Sequence, residues 1–263
     1  MSRAAVIRGG RLDARGELIE GVPRALQDYF WRSCLPLTML LFLLPMIVLY
    51  EVGTHYYASD WSTRTETRVL AFNLMRRFLG WFGATGQYLP CFTVVGILLA
   101  WHIARRDAWE FKAGTAALMI LESILLAVPI VALGRILGYV MPLYTSASGW
   151  KSGIVLALGA GVYEELVFRL IAFTALDMLL VDLLKLHRRW AMAAIIVTTS
   201  LLFASYHYWS QHSELFRWRD FVFRTICGFY FGWLLLVRGF AVTSGCHCAY
   251  DLFYFGMRAV IPV

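Results

Sequence analysis

Long apolar runs separated by short polar breaks dominate the chain, and the breaks carry most of its charge. Runs at 34–50, 88–103, 113–133, 190–208, 221–237 and 240–257 each come close to the length of a membrane helix, about 17–25 residues. A longer run, 153–184, exceeds one perpendicular crossing, and Asp177 and Asp182 mark where it is expected to break. The pattern predicts seven spans, within a range of six to eight. Pro36 stands near the start of the first span, and Pro45 is placed to kink it. Residues 21–32, with Pro23, Arg24, Asp28, Tyr29, Trp31 and Arg32, read as an amphipathic segment lying along the interface. Residues 69–82 mix Leu70, Phe72, Phe78 and Trp81 with Arg76 and Arg77, so a half-inserted interfacial helix is expected there. Residues 134–150, with Arg135, Pro142 and Tyr144, form a polar connection, and Gln211, His212 and Glu214 fall in a wet loop.

Composition agrees with the pattern. Hydrophobic residues make up 60% of the 263 positions and charged residues only 16%, against about 25% charged in a soluble domain. The expected class is an all-α, polytopic transmembrane helical bundle. It divides into a tail and interfacial segment (1–32), N-terminal membrane helices (33–150) and a membrane core (151–263). The net charge of +7 raises the possibility of nucleic acid, but the basic residues cluster at the ends of apolar runs. That placement belongs to topology signals and lipid headgroup contacts. With seven spans, the clusters before Cys34, at 105–112, at 185–189 and at Arg238 fall on one side, opposed by Arg217 and Arg219. The N-terminus is therefore expected in the cytoplasm, with the chain integral to a bacterial inner membrane. Arg3, Arg8, Arg11 and Arg15 are scattered with no apolar core directly behind them, which is the form of a cytoplasmic tail and not of a cleavable signal peptide. The cysteines at 34, 91, 227, 246 and 248 lie within or beside apolar runs. Cys246 and Cys248 make a lone C-x-C pair around His247, which supports neither a zinc site nor a disulfide framework.

The chemistry concentrates where charge intrudes on hydrocarbon. Residues 159–170 read GAGVYEELVFRL and carry Glu164, Glu165 and Arg169. Ionisable residues inside membrane segments are costly and point to function, the bland alternative being an inter-helix ion pair. Glu165 and Arg169 are four apart and share a face, whereas Glu164 is rotated by about 100° and is left freer. Two further sets show the same spacing: Phe203 with His207, and His247 with Asp251. His207 taken alone reads better as an interfacial residue beside Tyr206, Tyr208 and Trp209. The Asp251 carboxylate, by contrast, is placed to fix the tautomer of His247. Glu122 is a lone acid in the third span, expected to be structural. Together Glu164, His207 and His247 form a plausible site for activating water: a carboxylate as general base, with imidazoles to orient the water or meet an oxyanion. Neither G-x-S-x-G nor H-E-x-x-H is present.

Three motifs in this order resemble those of the CPBP family of glutamic intramembrane proteases, the CAAX-protease and bacteriocin-processing family. E-E-x-x-x-R matches Glu164, Glu165 and Arg169; F-x-x-x-H matches Phe203 and His207; and an aspartate variant of H-x-x-x-N matches His247 and Asp251. The resemblance covers about 152–257. It implies an Rce1-like core of membrane helices and an endopeptidase without metal or cofactor. Glu164, with His207, would activate the water. His247 with Asp251 would stabilise the oxyanion, and Glu165 with Arg169 would secure the geometry. The implied partners are membrane lipids and a peptide or protein with a hydrophobic or lipidated segment. Asp251 departs from the pattern, because an ionised aspartate accepts hydrogen bonds and donates none; its expected role is to orient His247. Three alternatives stand beside this one: a non-catalytic immunity or scaffold protein of the same fold, a zinc-dependent hydrolase using Glu164, His207 and His247, and a proton-coupled transporter. The last would show repeated halves that the sequence lacks.

Overall fold

The computed structural model describes residues 23–60, 65–138, 149–209 and 216–260. The tail arginines, Pro142, Tyr144, Gln211, His212 and Glu214 lie outside them. The helices in chain order are α1 (Arg24–Ser33), α2 (Pro36–Tyr57), α3 (Leu70–Trp81), α4 (Leu89–Arg105), α5 (Ala113–Ile136) and α6 (Gly149–Glu165). A π-helical segment (Leu166–Ala172), the short α7 (Phe173–Asp177) and a second π segment (Met178–Leu183) follow, and then α8 (Arg188–Tyr206), α9 (Trp218–Arg238) and α10 (Phe240–Val260). The one β-ladder among the described residues is two-stranded and antiparallel, β1 (Ser59–Asp60) with β2 (Thr65–Glu66).

Among the described residues, α2, α5, α8 and α9 are long and apolar enough to cross a membrane, and α4 is apolar but shorter. The protein is an all-α, polytopic bundle of membrane helices. The outer face of α5 shows what surrounds it: Ile120, Leu121, Ile124, Leu125 and Val128 are all exposed. A run of exposed branched aliphatics on a helix this long suits a hydrocarbon surround.

Two expectations change in detail. No break occurs at Asp177 or Asp182; the helix instead runs on from α6 to Leu183 by switching twice to π-type bonding. It stops where Lys185 enters the left-handed region at φ 55°. The interfacial reading of 69–82 corresponds to α3, which buries Ala71, Phe72 and Met75 and leaves Leu74, Phe78 and Trp81 exposed.

Two polar networks brace the outer parts against the core. Arg68 binds Glu66 through Nε (3.0 Å) and Nη2 (2.8 Å), reaches Glu51 on α2, and stacks over Phe72 at 4.5 Å. Glu51 in turn accepts the Tyr163 hydroxyl at 3.0 Å, which ties the ladder region to the residue preceding Glu164.

The second network agrees with the structural role expected of Glu122 and corrects the reading of Arg238. Glu122 is not a lone acid: its carboxylate accepts Arg238 Nε at 2.5 Å and Nη2 at 2.7 Å, and the Tyr29 hydroxyl at 2.5 Å. Arg238 also donates to Ser33 Oγ at 3.2 Å and is buried, so it serves as an internal partner and not as a headgroup signal. Burial pushes the Tyr29 phenol up, and its bond to Glu122 adds to the effect, so it remains a protonated donor at ordinary pH.

Candidate active site

The site depends on how closely α6 and α10 approach. These two helices pack along their length, and α2 covers the other side of α6. At Gly161 a Cβ would lie 2.3 Å from Cys248 Sγ and 2.6 Å from the Cys248 backbone nitrogen, so only hydrogen fits there. Small residues at such a crossing let membrane helices touch backbone to backbone. Three residues further along α6, Glu164 faces the last helix, with Glu165 beside it. A second close crossing holds α9 against α8: a Cβ on Gly228 would lie 2.8 Å from Ser200 Cα.

Glu165 is wholly buried and bridges two partners. Its Oε1 accepts His247 Nδ1 at 2.8 Å, and its Oε2 lies 3.2 Å from Arg169 Nε. Arg169 sits in the first π segment, a rare local geometry that recurs at functional sites. Its Nη2 donates to the Gly228 carbonyl at 3.2 Å, and its guanidinium stacks 4.5 Å above the Phe203 ring. Phe203 thus has a physical role of its own, as the aromatic face beneath a buried cation, a contact worth up to about 2 kcal/mol when desolvated.

Glu164 is buried as well, with one carboxylate oxygen on each side engaged. Oε1 accepts the Tyr206 hydroxyl, and Oε2 lies 3.8 Å from His247 Nε2. The His247 ring stacks on Phe231 at 4.6 Å and 17°, which fixes its plane. Asp251 Oδ2 lies 3.6 Å from the same Nε2, beyond direct hydrogen bonding. The structure therefore brings Glu164, Glu165, Arg169, His247 and Asp251 together, but the orienting contact differs from expectation. Glu165, not Asp251, holds the imidazole by its Nδ1. The reason lies in placement: Asp251 shares the helix of His247 and meets the far nitrogen, whereas Glu165 comes across the α6–α10 crossing.

His207 stands at the edge of this group, directly after α8. Its Nδ1 donates to the Phe203 carbonyl at 2.9 Å, since a carbonyl can only accept. Its ring packs edge-on against Tyr206 at 4.3 Å and Phe203 at 5.3 Å. His247, not His207, is the imidazole that directly faces Glu164.

Two residues of the site were not foreseen. In the sequence Tyr206 stands out only as an interfacial aromatic, although its place three residues after Phe203 puts it on the motif's helix face. Arg224, buried in α9, is within electrostatic reach of Glu164, His207 and Asp251. The signal for it was a charge inside the apolar run 221–237. Among the described residues, no group of three or more His, Cys, Asp or Glu is arranged to hold a metal ion, and all five cysteines are free thiols. A cavity of about 240 Å³ opens beside Arg169, lined also by Phe173, Asp177, Asp182, Leu236 and Phe240.

Neither the curated proteins nor the solved structures contain a match to the chain. Residues 145–253 match the family described as type II CAAX prenyl endopeptidase Rce1-like, an interval that includes every motif residue from Glu164 to Asp251. Over that interval, the chain belongs to the Rce1-like, CPBP-type CAAX protease family.

Proposed function

We propose that the protein is an intramembrane endopeptidase that hydrolyses a peptide bond with a glutamate-activated water. The observation that carries this reading is the meeting of Glu164 and Glu165 on α6 with His247 on α10, fixed by the 2.8 Å contact between Glu165 Oε1 and His247 Nδ1. The 3.8 Å between Glu164 Oε2 and His247 Nε2 is too long for a direct hydrogen bond and within reach of one shared water. In this reading, Glu164 Oε2 takes the proton of that water as its oxygen attacks the scissile carbonyl. His247, held through Nδ1, offers Nε2 to the developing oxyanion when it carries its second proton, and Glu164 returns its proton to the leaving amine. Arg169 and Glu165 keep the frame, and Asp251 supplies negative charge beside Nε2. His207 borders the site as a donor or orienting group for the substrate side.

The proposed substrate is a peptide or protein with a hydrophobic or lipidated segment, delivered through the membrane in which the helices lie. The proposed orientation puts the N-terminus in the cytoplasm of a bacterial cell, and residues 151–263 form the catalytic unit. The matched family is described as a CAAX prenyl endopeptidase, which makes prenylated CAAX ends the first substrate class to examine. The test is cleavage by purified protein in proteoliposomes. Activity lost in Glu164→Gln and His247→Ala, and kept after chelation, is expected. Activity abolished by a chelator and restored by a stoichiometric metal would overturn the metal-independent mechanism.

A further inference from the structure

The proposed chemistry runs through Oε2 of Glu164, and Tyr206, at a variable position of the F-x-x-x-H motif, bears on that choice. Tyr206 is the last residue of α8 and is buried at 1% exposure. Its ring is gripped by Phe168 at 4.9 Å and His207 at 4.3 Å, and its hydroxyl donates to Glu164 Oε1. The other oxygen, Oε2, is the one that faces His247 Nε2.

We infer that Tyr206 is a positioning residue that occupies Oε1 of Glu164 and so reserves Oε2 as the basic oxygen, aimed at the space before His247. The inference rests on the proposed role of Glu164. A carboxylate on a two-carbon stem has free rotation about its last bond, and a buried base must present one lone pair in one direction to take a proton from a bound water. The phenol locks that rotation, and its own packing between Phe168 and His207 makes the lock rigid. No bond is made or broken by Tyr206; it donates the same hydrogen bond before and after Glu164 takes the proton.

Tyr206→Phe is the variant of choice, because it keeps the ring contacts and removes only the hydroxyl. The substrate is the precursor that accumulates in cells carrying Glu164→Gln, purified and reconstituted with each enzyme. The expected result for Tyr206→Phe is a kcat about 10–100-fold lower with KM unchanged, the scale of one hydrogen bond to a charged group. The infrared carboxylate bands assigned to Glu164, by their absence in Glu164→Gln, are expected to shift in Tyr206→Phe with no substrate present. A wild-type kcat in Tyr206→Phe, while Glu164→Gln blocks processing, overturns the inference and leaves the glutamate mechanism standing. Processing that continues in Glu164→Gln overturns the mechanism itself, and the infrared bands then report separately whether the phenol contact exists.

Discussion

Glu165 holds both His247 and Arg169, so its loss leaves one buried imidazole and one buried guanidinium without their shared anion. Glu165→Gln keeps the shape and removes the charge. It is expected to lower kcat about 10–100-fold, the usual cost of losing a group that orients a functional histidine. Asp251 is predicted to behave differently: its 3.6 Å separation from Nε2 and the firm grip on Nδ1 make Asp251→Asn compatible with activity, within about threefold of wild type. Parallel kinetics of the two variants decide the point, and a severe loss in Asp251→Asn with Glu165→Gln unaffected would reverse the assignment. At this scale the sequence was only half informative. Four-residue spacing correctly paired Glu165 with Arg169, because that contact lies within one helix. The same rule paired His247 with Asp251 and missed Glu165, because a contact across two helices leaves no trace in local spacing. Tyr206 was missed for the same reason.

Helix positions were legible wherever an apolar run had polar ends: α5, α8 and α9 fall within a few residues of their runs, whereas α2 continues past its run through Glu51 to Tyr57. Buried charge was harder to read, since Arg224 looks like an ordinary interruption inside a run and Arg238 like an ordinary basic end of one. The π segments were likewise invisible, as nothing in Leu166–Ala172 differs in composition from an α-helix. Two predictions belong to the elements. Gly161→Ala pushes a methyl into Cys248 across the α6–α10 crossing, and a loss of about 1–3 kcal/mol is expected in a detergent unfolding measurement. Such a loss should come with reduced activity, since the same crossing sets Glu165 against His247. The Glu122–Arg238 pair clamps α5 to the end of α9, and Tyr29 and Ser33 add α1 to the clamp. A double-mutant cycle with Glu122→Gln and Arg238→Met is expected to give a coupling of about 0.5–3 kcal/mol; additive single effects would mean the clamp contributes nothing.

Across the whole molecule, the helices divide the work. The stretch that matches the family, 145–253, carries the charged centre, whereas α1 to α5 wrap and brace it through Glu122, Glu51 and Tyr163. The membrane bundle was legible because 60% of the 263 residues are hydrophobic, only 16% are charged, and the apolar positions fall in long runs. The bracing was less legible, since Arg68–Glu51–Tyr163 joins three separate segments, of which only their polar members stand out. In the proposed mechanism these helices present Glu164 to a peptide bond in the membrane. The most direct measurement compares wild type with Glu164→Ala in the native membrane and records which proteins change mass at either terminus. The account predicts a specific precursor that stays uncleaved in the variant, at equal expression and with the fold intact. Identical terminal masses in the two strains, under conditions that induce the substrate, would contradict it.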